Sequence, residues 1–442
     1  MTAYKPLALV EVWAWGAMVG AIAQDPETGF YAFAYTDDWQ AAGVELAPLQ
    51  MPLRPEPYEF PQLSPETFYR LPALFADALP DKFGNALVDA WMAENGIARN
   101  EITPLDRLAY AGERAMGALT FRPPTSPTHE APAIIQLADL VLAARDTVRG
   151  DASTDDGLTD ALRQLIQVGT SAGGARAKAV ILYNKETAQI RSGHAGHETG
   201  FLDAGFIHYL LKLDGVSDYG MDNRREPLGA SAPYGRIEYA YYLMAIAAGI
   251  EMEESDLLLE GPRAHFLTRR FDRGPSGERR HVITLCALAH LDFNLPTAHS
   301  YDQYLDAVHD LGLDASAVAQ AYRRMVFNVV AVNRDDHTKN FSFLLPERGR
   351  WALAPAYDIT YAHRPDGGWT QRHQLRVNGK NEAITLADLY AVGDRHDVPG
   401  YKRIVTEVLA VVARWREFAN QAAVPTVQIE HILADMDAYR PR

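Results

Sequence analysis

Val332-Asn333-Arg334-Asp335-Asp336-His337-Thr338-Lys339-Asn340-Phe341 is followed by Pro355-Ala356-Tyr357-Asp358-Ile359, with Asp358 eighteen residues beyond Asn340. Between them Phe341 to Leu345 reads as a strand, Pro346-Glu347-Arg348-Gly349 as a turn, and Trp351 to Leu353 as the returning strand. A return of that kind brings Asn340 and Asp358 to one end of a two-stranded ribbon. Their side-chain oxygens can then meet one small, hard cation, as magnesium requires.

An Asp and an Asn five residues apart, with a second Asp past a short hairpin, is the set that protein kinases use for ATP chemistry. In that reading Asp335 accepts a hydrogen bond from the attacking hydroxyl, and Lys339 neutralises charge on the transferring phosphoryl group. The plainer reading is that Asp-rich loops cap helices and turns, and an isolated Asp-x-x-x-x-Asn is weak. The hairpin to Asp358 and a glycine loop upstream favour chemistry. Asp336 reads as a solvated neighbour. His337 either contacts the phosphoryl group or holds the loop by hydrogen bonds.

The upstream loop is Gly169-Thr170-Ser171-Ala172-Gly173-Gly174. It is no Walker loop, because Ala175 stands where that motif needs Lys, yet its backbone N–H groups can approach a phosphate closely. Lys178 either supports a phosphate or flanks the next strand. Lys212 sits in the apolar run Tyr209-Leu210-Leu211-Lys212-Leu213, where a lysine needs a partner. The α- and β-phosphates and a helix glutamate are the partners a kinase supplies, and Glu238 on the helix over Ile237–Ala248 is the candidate; the alternative is an edge lysine reaching water. The backbone around Thr268–Arg270 is a candidate base-reading hinge. Asp272, in Arg270-Phe271-Asp272-Arg273, reads as a strand-end residue paired with arginine.

Composition narrows the classes. Forty-two Lys and Arg against 57 Asp and Glu give a formal net charge of −15, which disfavours nonspecific nucleic-acid binding by the chain alone. One cysteine, Cys286, in an apolar run, excludes an intramolecular disulfide and a cysteine-based zinc site, which fits a reducing cytoplasm. It reads as an inert core thiol. The apolar stretch Leu7–Ala23 is broken by Glu11 and reads as a strand rather than a signal peptide, and no run is long enough to span a membrane.

A chain of 442 residues exceeds one compact core. Arg122-Pro123-Pro124-Thr125-Ser126-Pro127-Thr128-His129-Glu130-Ala131-Pro132 reads as a solvated linker. The expected organisation is residues 1–122 as a first α/β subdomain, 133–275 as a strand-containing lobe with the glycine loop, and 276–442 as a helical lobe carrying Asp335, Asn340 and Asp358. The fold class is α+β, bilobal and protein-kinase-like. Helices are expected over 134–145, 157–166, 237–248, 301–311, 315–332, 386–389, 401–421 and 429–439, and strands over 8–14, 29–35, 179–183 and 264–272, with another ending at Leu213.

These residues resemble the HipA family of serine/threonine kinase toxins from bacterial toxin–antitoxin systems. The resemblance rests on residues 169–178, Leu211-Lys212-Leu213, Arg236-Ile237-Glu238-Tyr239-Ala240, Arg270-Phe271-Asp272-Arg273, Asp335-Asp336-His337-Thr338-Lys339-Asn340-Phe341-Ser342 and Ala356-Tyr357-Asp358-Ile359. Leu79-Pro80-Asp81 and Gly117-Ala118-Leu119 are similar to the family's first subdomain, so the likeness spans nearly the whole chain. It implies a HipA-like N-terminal subdomain, a kinase N-lobe and an all-helical C-lobe, with ATP and Mg2+ as cofactors and protein serine or threonine as acceptor. Asp335 matches the catalytic Asp, Asn340 and Asp358 the magnesium ligands, Lys212 the ATP lysine, and Ser171 an autophosphorylated loop serine. An aminoacyl-tRNA synthetase as target and a HipB-like helix-turn-helix antitoxin as partner, with DNA reached only through the antitoxin, are further implications. Arg176-Ala177 replaces the Gln-Glu of a well-known branch, and Asp336 replaces a glycine, which puts the target in doubt. A small-molecule kinase and a catalytically weak antitoxin-binding co-repressor are the alternative readings.

Overall fold

The structure, a computed structural model, describes residues 5–125, 137, 140, 141, 144, 177–192, 205–216 and 233–442. The glycine loop with Ser171, and the helices expected over 134–145 and 157–166, lie wholly or mostly outside them.

The first subdomain is built on a four-stranded antiparallel sheet in the order β3-β2-β1-β4, from β1 (Leu9–Ala14), β2 (Ala17–Gln24), β3 (Tyr31–Tyr35) and β4 (Leu119–Arg122). In β1, Val10, Val12 and Ala14 are buried while Glu11 and Trp13 are only partly covered, the period of two that a half-buried strand requires. Helices α1 (Asp37–Ala42), α2 (Pro65–Phe68), α3 (Ala73–Ala76), α4 (Lys82–Glu94) and α5 (Pro104–Ala111) fill the connection between β3 and β4. Asp81 caps α4 by accepting from the Gly84 N–H at 2.7 Å.

The second sheet is five-stranded and antiparallel, in the order β6-β5-β7-β9-β8. Its strands are β5 (Lys178–Asn184), β6 (Gln189–Ser192), β7 (Ile207–Lys212), β8 (Ser255–Glu260) and β9 (Arg263–Arg269). The register sets Lys178 directly opposite Lys212 on β5 and β7. Helix α6 (Tyr234–Ala247) crosses this sheet, with Ile237, Glu238, Ala240 and Tyr241 buried. It lies close because Gly235 has no side chain: a Cβ there would stand 2.1 Å from the Ala264 carbonyl oxygen on β9.

The third part is helical around a small sheet. Strands β10 (Arg280–Thr284), β12 (Ser342–Pro346) and β13 (Ala352–Leu353) form it, and β11 (His299–Ser300) pairs with β14 (Leu375–Arg376). The expected hairpin is present, with Phe343 opposite Leu353. Helices α7 (Leu285–Leu288), α8 (Tyr301–Asp310), α9 (Ala315–Val330), α10 (Leu386–Arg395), α11 (Tyr401–Val412), α12 (Trp415–Gln421) and α13 (Thr426–Ala438) make up the rest. The lobe expected to be all-helical therefore carries strands, helix α10 runs on to Arg395 where 389 was expected as its end, and two further helices differ from expectation. The run over 401–421 is broken at Ala413–Arg414, which lets Trp415 turn inward against Tyr241 of α6 at a ring separation of 5.3 Å. Helix α9 stops at Val330, and Val332 takes a left-handed φ of 55° that no continuing helix allows. Cys286 is buried, with its thiol pushed up to about 12 by burial, as expected of an inert core residue.

Candidate active site

The loop after α9 is held from several directions. The Asn333 side chain donates to Asn328 at 3.0 Å, and Arg334 N–H donates to the Ala362 carbonyl. Asp336 is not solvated, contrary to the expectation from sequence. It is 1% exposed and accepts from the Tyr301 hydroxyl at 2.7 Å and the Gln374 N–H at 2.7 Å, with His373 Nδ1 at 2.8 Å. A carboxylate inside a core persists where its oxygens are satisfied in this way. Asp336 is thus the anchor that turns its neighbour Asp335 outward.

Asp335 keeps its side chain 42% exposed, near enough to Asp358 for the two charges to repel but outside the lining of the cleft described below. Oδ1 accepts from the Trp369 indole N–H at 2.7 Å, and His337 Nε2 stands 3.8 Å from the same oxygen. Crowding by the surrounding protein raises the carboxyl above its ordinary range, opposed by His337 and by the indole hydrogen bond. His337 packs between Phe293 and Trp369, at ring separations of 5.6 and 6.1 Å. The Asn340 amide donates to the Asp335 carbonyl at 2.7 Å, which leaves its oxygen for other work.

Asp358 arrives from the far side of the hairpin with a left-handed φ of 52°, unusual for a residue with a side chain. Its position is fixed next door, where the Tyr357 hydroxyl donates to the Lys339 carbonyl at 2.6 Å and meets Ser342 Oγ at 2.5 Å. Lys212 of β7 reaches Asp358 Oδ1 at 2.5 Å and also binds Glu238 of α6. Lys178 lies 4.0 Å from Asp358 Oδ2. Burial opposes the charge on Asp358, but Lys212 and then Lys178 hold its carboxyl well below the usual range. Burial likewise works against charge on Lys212, and Asp358 and Glu238 overcome it, so the ammonium is retained. Lys212 does not extend to water at a sheet edge; it bridges sheet, helix and loop.

The lysines, Glu238, Asn340 and Asp358 line one cleft of about 1190 Å3 including its open mouth, whereas Asp335, His337 and Trp369 are not among its lining residues. Lys178, Lys212, Lys339, Asn340 and Asp358 share its polar part. Sequence reasoning missed its third wall, supplied by the first subdomain through Leu74, Asp77, Ala78, Met116 and Leu119. Asp77 accepts from Thr284 N–H and Oγ, both at 2.8 Å. Burial raises the carboxyl of Asp77, countered first by Lys339; burial pushes Asp81 up to about 6, countered first by Lys178. No spacing rule links Asp77 to Lys339, so only the Leu79-Pro80-Asp81 signature hinted at this wall. The proposed hinge does line the cleft, but Arg269 N–H is taken by the Glu254 carbonyl and Arg270 N–H by that of His208. Asp272 is fully buried against Arg270 at 2.6 Å and Arg273 at 2.7 Å, as its arginine-rich neighbourhood implied. Gly169, Thr170, Ser171, Ala172, Gly173 and Gly174 lie outside the described residues.

The donor chemistry fits magnesium in one specific sense. Among the described residues no group of three or more His, Cys, Asp or Glu is placed to hold a metal ion. Magnesium needs no such cage, because it ordinarily fills its shell with water and phosphate oxygens beside one or two protein oxygens. Asn340 and Asp358 are the two oxygen donors that could serve in this way, since both line the cleft with the lysines that suit phosphate.

Comparison with known proteins places this geometry. A family model described as the HipA-like C-terminal domain matches residues 170–440, and one described as the HipA N-terminal domain matches residues 10–122. A solved HipA–HipB–operator DNA complex of a toxin–antitoxin system from Shewanella oneidensis superposes with a TM-score of 0.65 at 17% identity, over 97% of this chain and 95% of that one. The Helicobacter pylori proinflammatory kinase CtkA aligns over 57% of this chain and 94% of its own at 12% identity, with a TM-score of 0.32. A provisionally named kinase of Sinorhizobium fredii, Y4dM, is 37% identical over 95 residues, 21% of this chain. That match spans about a fifth of the curated relative's length (22%).

Proposed function

This chain belongs to the HipA family, and from that premise we propose that it is an ATP- and magnesium-dependent serine/threonine protein kinase. The observation that carries the reading is Lys212, held between Glu238 on a helix and Asp358 beyond a hairpin, in the same cleft as Asn340. Four residues from separate elements converge where phosphates would be gripped. The apolar stretch of wall around Leu74, Met116, Leu119 and Phe271 suits the adenine base.

In this mechanism Lys212 and Lys178 bind the phosphate oxygens, and Glu238 keeps Lys212 oriented. Magnesium, held by Asn340 and Asp358 when bound, would neutralise phosphate charge. Asp335 accepts the proton of the acceptor hydroxyl as its oxygen bonds to the γ-phosphorus and the bond to the ADP oxygen breaks. Lys339, whose ammonium lies 4.7 Å from the centre of the Phe293 ring, reaches the polar end of the cleft and offsets charge on the group in transit.

The family supports a role as a toxin, with an aminoacyl-tRNA synthetase as the candidate class of target. The solved relative's complex with HipB and operator DNA supports a HipB-like antitoxin as partner. With a net charge of −15, the chain should reach DNA only through that partner, acting in the cytoplasm. Among the described residues no helix is long and apolar enough to cross a membrane. Ser171 is the proposed self-phosphorylation site, since a phosphate there would compete with ATP for the loop's N–H donors.

The test is phosphoryl transfer by the purified chain with Mg–ATP and a panel of protein acceptors, scored by intact mass and peptide mapping. Asp335→Asn should abolish transfer while leaving nucleotide binding nearly intact. Asp358→Asn should abolish transfer and weaken the magnesium-dependent part of binding. If both variants label every acceptor as wild type does, the assignment is wrong.

A further inference from the structure

Eleven residues beyond Asp358 the chain passes through Gly367 and Gly368 and presents Trp369 to the carboxylate that the mechanism uses as base. Both glycines take left-handed backbone angles, with φ of 104° and 95°, and a Cβ on either would meet nothing within 4 Å. Steric crowding does not explain them; backbone geometry does, because few other residues adopt such angles cheaply. They deliver the indole from the solvent side of the loop.

Trp369 is fixed from the other side. The Gln374 amide donates to the carbonyls of Arg372 at 3.0 Å and Arg334 at 3.4 Å, and also to that of Trp369. Arg334, next to Asp335, returns a hydrogen bond to the Gln371 carbonyl. Gln374 N–H is one of the donors that bury Asp336. The segment carrying the indole and the loop carrying Asp335 and Asp336 are therefore one hydrogen-bonded unit, and Trp369 has little freedom to point elsewhere.

We propose that Trp369 is a positioning residue for phosphoryl transfer: its indole N–H holds Asp335 Oδ1, so that the acceptor hydroxyl is delivered to Oδ2. This rests on the kinase reading above. Both neighbours of the carboxylate, the Trp369 indole N–H and His337 Nε2, lie on the Oδ1 side, and His337 is itself packed between Phe293 and Trp369. Without the indole donor the carboxylate can rotate and present either oxygen, and misaligned attack is costly in rate.

Trp369→Phe keeps the ring and removes the donor. With Mg–ATP and an acceptor protein, kcat should fall about 10- to 100-fold, with KM for ATP and direct nucleotide binding within twofold of wild type. A second readout needs no turnover. In protein labelled with 5-fluorotryptophan, the 19F resonance absent from Trp369→Phe belongs to residue 369, and Trp369→Tyr assigns it independently. That resonance should move in folded Asp335→Asn. An unchanged kcat in Trp369→Phe, an equal loss of ATP affinity, or an unmoved resonance overturns the proposal. A wild type that transfers no phosphate overturns the kinase reading as well, whereas an active wild type silenced by Asp335→Asn but indifferent to Trp369→Phe overturns this inference alone.

Discussion

Asp335 and Asp336 are adjacent carboxylates with opposite surroundings, and the contrast separates the proposed base from a buried anchor. Asp335 has a side chain 42% exposed, and one indole donor and the nearby His337 face it. Asp336 is enclosed by Tyr301, His373 and Gln374, from parts of the chain 35 to 38 residues away. Removing a buried, hydrogen-bonded charge leaves its partners unsatisfied, whereas changing a half-exposed one does not. Asp336→Ala should therefore cost about 3–5 kcal/mol of folding stability, and Asp335→Asn less than about 1 kcal/mol, as read from urea denaturation. Equal losses in the two variants would refute the division of labour. The hairpin between Asn340 and Asp358 was legible in the sequence because the spacing of the candidate set reflects local geometry, an Asp–Asn loop followed by a turn and a returning strand. The fate of Asp336 was not, since an Asp-Asp pair looks the same whether or not distant residues close over one member. Trp369 escaped for the same reason: nothing in Gly367-Gly368-Trp369 names the carboxylate it meets.

Among the elements, helix α6 is positioned by an absence. Gly235 lies one turn before Glu238, and the backbone of β9 occupies the place a side chain would need. Gly235→Ala must push helix from sheet, because the clashing atom is a carbonyl oxygen rather than a flexible side chain. The expected cost is about 1–3 kcal/mol, with a larger relative loss of ATP affinity, since Glu238 would be drawn away from Lys212. Thermal melts and nucleotide binding by calorimetry check both. A variant as stable as wild type, with unaltered affinity, would show that the helix can shift freely. Strand and helix periodicity found β1, β5, β7, β9, α6, α8 and the hairpin closely. It missed the break between α11 and α12, because no glycine or proline marks it: the chain turns there to bury Trp415, a tertiary demand that overrides a continuous apolar stripe.

At the scale of the molecule, the first subdomain is fastened to the rest by buried polar groups. Asp272, carrying Arg270 and Arg273, accepts from Gly117 N–H at 2.7 Å. His281 Nε2 lies 2.8 Å from the Leu46 carbonyl. Burial lowers His281 to about 4; burial, then the charges of Arg270 and Arg273, lowers His208 to about 3. Both rings are neutral when folded and would take protons near their ordinary 6.5 once unfolded. Their contribution to stability is complete above about pH 6.5 and is lost as pH falls toward 4 and then 3, at roughly 1.4 kcal/mol per pH unit for each ring. Asp81, raised to about 6 by burial, acts with the opposite sign down to the ordinary carboxylate range near 4, as do Asp77 and Asp335. Burial also lowers His265, His290 and His299, so among the described residues three raised carboxyls stand against five lowered histidines. Urea midpoints should therefore drop between pH 7 and pH 5, and a rise would refute the burial assigned to these histidines. The same long-range fastening makes the cleft a late product of synthesis. Asp77, on the wall that the first subdomain supplies, leaves the ribosome 281 residues ahead of Asp358, which at 5–20 residues per second is a wait of roughly 15–60 s. Through that interval the nascent chain carries an acidic half-wall whose lysines are still being made, and the cleft proposed for nucleotide is complete only once translation has passed the hairpin.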